Sequence, residues 1–153
     1  MKKLILLSVA ALCSAGIFAA PNFTTSIDAT AKIRKVFQKN FPEVTNPSIV
    51  NIGEFYLVYF TNKEKNSSCR IFYDNDGNVV ETIRNYTAEG LTPFIRAKID
   101  SKYKGKNVFG VTDVANENGH YYEVMLQDEK TLWIVHAEDN GSMYVQKKYK
   151  RAM

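Results

Sequence analysis

The chain is 153 residues long and holds only two cysteines, two histidines, four prolines, eight glycines and one tryptophan. Two cysteines exclude a disulfide-dense scaffold. So few prolines and glycines exclude collagen-like and low-complexity chains. Charge is nearly balanced, at a formal +4 with 24% charged residues, so the composition is that of a folded protein with a core. No apolar run is long enough to span a membrane; the longest, Leu4–Leu12, is interrupted by Ser8. Recognisable catalytic signatures are also missing: there is no Gly-x-Ser-x-Gly elbow, no phosphate-cradling glycine loop and no Cys-x-x-Cys pair. The abundant class is aromatic, with nine Phe and nine Tyr.

The first twenty residues read as an address. Met1-Lys2-Lys3, the apolar run and the small residues up to Ala20 have the layout of a bacterial secretory signal peptide, with cleavage expected after Ala19 or Ala20. Cys13 leaves lipidation open as the alternative, although Leu12 stands where a lipobox has a small residue. Loss of Lys2 and Lys3 leaves 18 basic side chains against 16 acidic ones, a net of +2. The basic balance is therefore mostly an address effect, and no nucleic-acid partner is expected. The cleaved chain holds no transmembrane segment and keeps one cysteine, Cys69, expected to be a buried small hydrophobe.

The remainder repeats its landmarks. Ile33-Arg34 recurs as Ile95-Arg96, Gly53-Glu54-Phe55-Tyr56-Leu57-Val58 as Gly119-His120-Tyr121-Tyr122-Glu123-Val124, Asp76-Gly77 as Asn140-Gly141, and Tyr86 as Tyr149. The offsets of 62, 66, 64 and 63 give a period of about 63 residues. Each copy opens on a helix. Thr25-Ser26-Ile27-Asp28 starts the first, whose Ile33, Val36, Phe37 and Phe41 share a face before Pro42. Thr92-Pro93 starts the second, with Ile95, Ile99 and Tyr103 on its face and Gly105 beyond.

Four strands follow each helix: 48–52, 54–61, 68–73 and 78–86, then 108–114, 120–127, 131–137 and 142–150. Short turns such as Asn75-Asp76-Gly77 and Asp139-Asn140-Gly141 make neighbours antiparallel. The expected fold is α+β, a tandem repeat of two α-β-β-β-β units with helices packed on one face of antiparallel sheets. Residues 21–88 form the first unit and 89–153 the second, as one compact body.

Alternation in the second strand of each unit assigns the faces. Tyr56, Val58 and Phe60 correspond to Tyr122, Val124 and Leu126; Phe55, Leu57 and Tyr59 correspond to Tyr121, Glu123 and Met125. Glu123 is not expected to be buried without a partner, so the Tyr121 row should face outward. Phe55, Leu57, Tyr59, Tyr121 and Met125, with Trp133 from the next strand, are thus candidate partner-binding residues. Plain packing of these side chains, by curling of two half-sheets, stands as the alternative, and so does a reversal of the faces.

Other constellations are thinner. His120 and His136 fall on neighbouring strands and could approach each other near Glu138 or Asp139, but lack a third ligand at zinc spacing. Asp74-Asn75-Asp76-Gly77 lacks the ligands of a calcium loop, with Phe72 and Ile83 at two of the positions needed, and reads as a hairpin turn. The sequence implies no cofactor and no catalytic residue. Its oligomeric state is not legible.

The signal segment, the two α-β4 units, the Gly-x-Phe/Tyr-Tyr-x-Val strands and the Asp/Asn-Gly hairpins resemble the PepSY-like, beta-lactamase-inhibitor-protein-like (BLIP-like) periplasmic proteins of bacteria, over about residues 26–151. The resemblance implies a tandem α+β fold with a concave sheet surface. That surface grips an enzyme in the inhibitor, and PepSY domains are proposed to restrain peptidases. This chain lacks the inhibitor's disulfide cysteines and any matching inhibitory loop. The expectation that survives is a non-enzymatic module for an unknown protein partner in the cell envelope. A small-molecule or weak metal site between helix and sheet is the alternative.

Overall fold

In the computed structural model, residues 26–63 and 66–151 are described. The expected signal segment with its cleavage sites and Cys13 lies outside them, as does Thr25 at the head of the first helix. Helix α1 covers Ser26–Asn40 and α2 covers Pro93–Lys102. The α2 start follows its sequence: the Thr92 hydroxyl accepts the Ile95 amide at 3.3 Å, and Pro93 occupies the first turn. The Gln38 side chain donates to the Pro42 and Val44 carbonyls, binding the chain beyond α1 back to the helix.

The strands are β1 (Ser48–Asn51), β2 (Tyr56–Asn62), β3 (Ser67–Tyr73) and β4 (Val79–Tyr86), then β5 (Asn107–Asn116), β6 (Gly119–Gln127), β7 (Thr131–Glu138) and β8 (Met143–Lys150). They form one eight-stranded antiparallel meander in the order β1 to β8. The two half-sheets are therefore continuous, joined where Glu81–Tyr86 of β4 pair with Asn116–Val111 of β5. A short 3₁₀ turn, Ala88–Gly90, lies between β4 and α2.

Turn chemistry sets the register. Asp74 Oδ1 accepts the amides of Asp76 and Asn78 at 2.9 and 2.8 Å, while Gly77 takes φ +87°. This segment is a hairpin turn, as its sequence indicates. β2 begins two residues later than expected, because Ile52–Phe55 closes the β1–β2 hairpin through an Ile52 amide to Phe55 carbonyl bond of 2.9 Å.

Both helices cover the same face of the sheet. Ile33 and Phe37 of α1 pack on Tyr56, Val58, Cys69, Ile71 and Tyr73. Ile95 and Ile99 of α2 pack with Val111, Tyr122, Val124, Leu126, Val135 and Ala137. Period-2 alternation then leaves the opposite face without a helical layer among the described residues. Among the described residues, no helix is long and apolar enough to cross a membrane.

Candidate binding face

The uncovered face can be traced through the strand pairing. One row runs Ser48, Tyr59, Arg70, Ile83, Val114, Tyr121 and Glu138 across seven strands. A second runs Val50, Leu57, Phe72, Glu81 and Asn116. A third, toward β8, runs Asn85, Thr112, Glu123, His136 and Tyr144. Met125 opposes Ile134 in a fourth.

Leu57, Tyr59, Tyr121 and Met125 lie on this face, as the alternation predicts. Tyr59 is 42% exposed. The structure does not gather the four into one cluster. β2 and β6 are four strand spacings apart, about 19 Å, and Arg70, Phe72, Ile83 and Val114 fill the interval. Phe55 is exposed but belongs to the β1–β2 hairpin loop rather than to the ladder.

Trp133 is a correction. It pairs with Leu126 on the helix-covered face, meets Tyr103 edge-on at 6.1 Å, and lies beneath the ammonium groups of Lys106 and Lys148 at 4.1 and 4.8 Å. The register of β6 against β7 decides this, and the alternation of β6 alone could not supply it. The side chains that sequence reasoning missed on the open face are Phe72, Ile83, Ile134, His136 and Tyr144. Alternation in β3 and β4 points to Phe72 and Ile83, whereas Ile134, His136 and Tyr144 are placed by the register of β7 against β6 and β8.

Tyr121, His136 and Tyr144 stack as a ladder, with ring centroids 4.7 and 4.8 Å apart and planes inclined by 27° and 23°. Burial pushes the Tyr121 phenol above its usual range, and the charges of Glu123 and Glu81 add to the effect. The ladder aligns three rings at one end of the face.

The two histidines fall on opposite faces of the sheet. His136 belongs to the open face, whereas His120 is opposite Ala115 on the helix side. There His120 Nε2 meets Asp113 Oδ1 at 3.0 Å and Nδ1 meets Asp139 at 2.8 Å. Asp113 also accepts from Arg84 Nη2 at 2.8 Å and from the Tyr86 hydroxyl at 3.2 Å. This network occupies the seam between the two helix-covered clusters. Beside it lies a groove of about 700 Å³ lined by Phe41, Phe60, Cys69, Arg84, Tyr86 and Asp113, among others. No group of three His, Cys, Asp or Glu able to hold a metal occurs among the described residues.

Solved structures share this arrangement. A BLIP-like protein from Bacteroides fragilis superposes with a TM-score of 0.60 at 16% identity, covering 80% of this chain and 88% of the other. The fold is BLIP-like. The same BLIP-like architecture relates the chain to a DUF2874 family protein from Bacteroides uniformis, with a TM-score of 0.58 at 14% identity over 78% and 88% of the chains. It also relates it to a candidate periplasmic protein from Bacteroides eggerthii, at 0.58 and 11% over 77% and 86%. No protein-family model and no curated protein matches the sequence. At these identities the BLIP-like likeness concerns the fold alone.

Proposed function

We propose that the protein is a non-enzymatic, periplasmic or secreted protein-binding module that engages an envelope partner through the helix-free face of its sheet. One observation carries this reading: apolar and aromatic side chains, Leu57, Tyr59, Phe72, Ile83, Tyr121, Met125 and Tyr144, share a face that no helix covers among the described residues. Face-wide aromatic anchors are the usual energetic centres of interfaces. The BLIP-like fold and the likeness to a candidate periplasmic protein support both the binding role and the location. The target class we infer is an envelope hydrolase or peptidase. We infer too that residues 21–88 and 89–153 are duplicated units, since a helix followed by four strands occurs twice.

The test is capture from envelope extract with the wild-type chain and with Tyr59→Ala and Tyr121→Ala. A central anchor costs on the order of 2 kcal/mol of binding when truncated, so a specific partner should be lost or weakened in the variants. Equal retention by both variants would remove the reading.

A second reading rests on the groove beside Arg84, which has the volume for a small ligand. Mass spectrometry of natively purified protein tests it: a stoichiometric ligand supports it, and a clean apo mass removes it.

A further inference from the structure

Among the described residues the sheet order leaves two free edges, and they are unequal. β1 is four residues long, whereas β8 is eight residues long and exposed from Tyr144 to Lys150. An edge strand turns half of its amides and carbonyls away from its only neighbour, offering a ladder to an added strand.

The charge of β8 is of one sign. Lys147, Lys148 and Lys150, followed by Arg151, are accompanied by no Asp or Glu between Met143 and Arg151. The pairing with β7 distributes the cations over both faces: Lys147 opposes Ile134 on the open face, while Lys148 opposes Trp133 and Lys150 opposes Thr131 on the helix side. Alternation separates Lys147 from Lys148 and Lys150, and a register shift between Ile134 and Val135, which leaves Gln146 unopposed, decides which face each takes. A second copy pairing through its own β8 would set lysines against lysines, so the edge disfavours self-association. An acidic strand meets the opposite situation, because side chains of either parity find a cation.

We propose that β8 is an augmentation site for an extended acidic segment of a partner protein. The contact is through backbone edge and flanking lysines, so it is separate from the open face and does not require that reading. Lys148 lies 4.8 Å from the Trp133 ring on the helix side. A strand added at β8 therefore disturbs the indole, whereas a partner seated only on the open face does not reach it.

The probe is a nine-residue synthetic peptide alternating Val or Thr with Glu, added to the isotope-labelled full chain. Binding should slow hydrogen exchange of β8 amides at least tenfold at saturation, change Trp133 fluorescence and weaken with added salt. The same peptide with Lys for Glu should not bind. Lys147→Glu with Lys148→Glu, both at exposed positions, leaves Lys150 and Arg151 to balance the two carboxylates, so the preference for the Glu peptide should be lost. Absence of binding, equal protection by both peptides, or dimerisation through β8 overturns the proposal. So does binding that perturbs Tyr59 and Tyr121 without protecting β8, a result that leaves the open-face reading intact.

Discussion

His120 Nε2 lies 3.0 Å from a carboxylate oxygen of Asp113, a residue only 3% exposed. The other ring nitrogen is equally committed, to Asp139 at 2.8 Å. A neutral imidazole donates from one nitrogen only, so both carboxylates are satisfied together only by the imidazolium. Burial is the largest single influence and opposes the charge. The hydrogen bonds and charges of Asp139 and Asp113 together outweigh it, and the pKa is raised above its usual 6.5.

The sign of the pH dependence follows. A raised folded-state pKa contributes stability that is complete below the unfolded value near 6.5 and is lost as pH climbs through the folded value. Burial, with the Asp113 charge, pushes the Tyr86 phenol up, and burial raises that of Tyr122, so neither phenol ionises inside this window. The stability difference between wild type and His120→Gln should therefore be largest near pH 6 and shrink toward pH 9. Thermal melts across that range measure it, and a constant difference contradicts the account.

Tyr73 supplies a second test. Its side chain is fully buried in the α1 cluster, and its hydroxyl has no hydrogen-bond partner among the described residues. Removing an unsatisfied polar atom relieves its desolvation cost without losing a bond. Tyr73→Phe should be neutral or stabilising by up to about 1 kcal/mol. A denaturant midpoint that falls by the equivalent of about 1 kcal/mol or more would show a hidden partner.

Cys69 is buried against α1, and burial pushes its thiol up to about 11; the Arg84 charge pulls the other way and Asp113 adds to the rise. At pH 8 about a thousandth of the thiol is ionised. A disulfide reagent should label the native protein at least a hundredfold more slowly than the denatured one. Rapid native labelling would contradict the burial and point to a reactive thiol.

The continuity of the sheet predicts that the two halves unfold together. Six residue pairs join β4 to β5, and Arg84 reaches Asp113 across that junction. Phe37→Ala, in the first half, should cost about 3–5 kcal/mol. The loss should appear in full in the fluorescence of Trp133, the single tryptophan, in the second half. An unmoved tryptophan transition would make the halves independent domains.

Much of the architecture was legible because its signals are local. Thr92-Pro93 marks a helix start by side-chain capping, and Asp76-Gly77 and Asn140-Gly141 mark hairpins by their backbone freedom. Alternation placed Tyr56 and Tyr122 toward the helices without any knowledge of the partners. What failed depends on register between strands. Trp133 and the His120–His136 relationship hinge on which residue of β7 opposes which residue of β6. The Arg84–Asp113 pair joins residues 29 apart across α2, and no local pattern announces it.

The central claim, partner binding through the helix-free face, is tested most directly by site-specific photo-crosslinking in cells. A benzophenone amino acid at position 59 or 121 samples the open face, and one at the exposed helix positions Lys35 or Lys39 samples the opposite side. The account predicts a discrete adduct with the same partner from positions 59 and 121 and none from 35 and 39. Adducts from the helix side alone, or none from the open face, would contradict it.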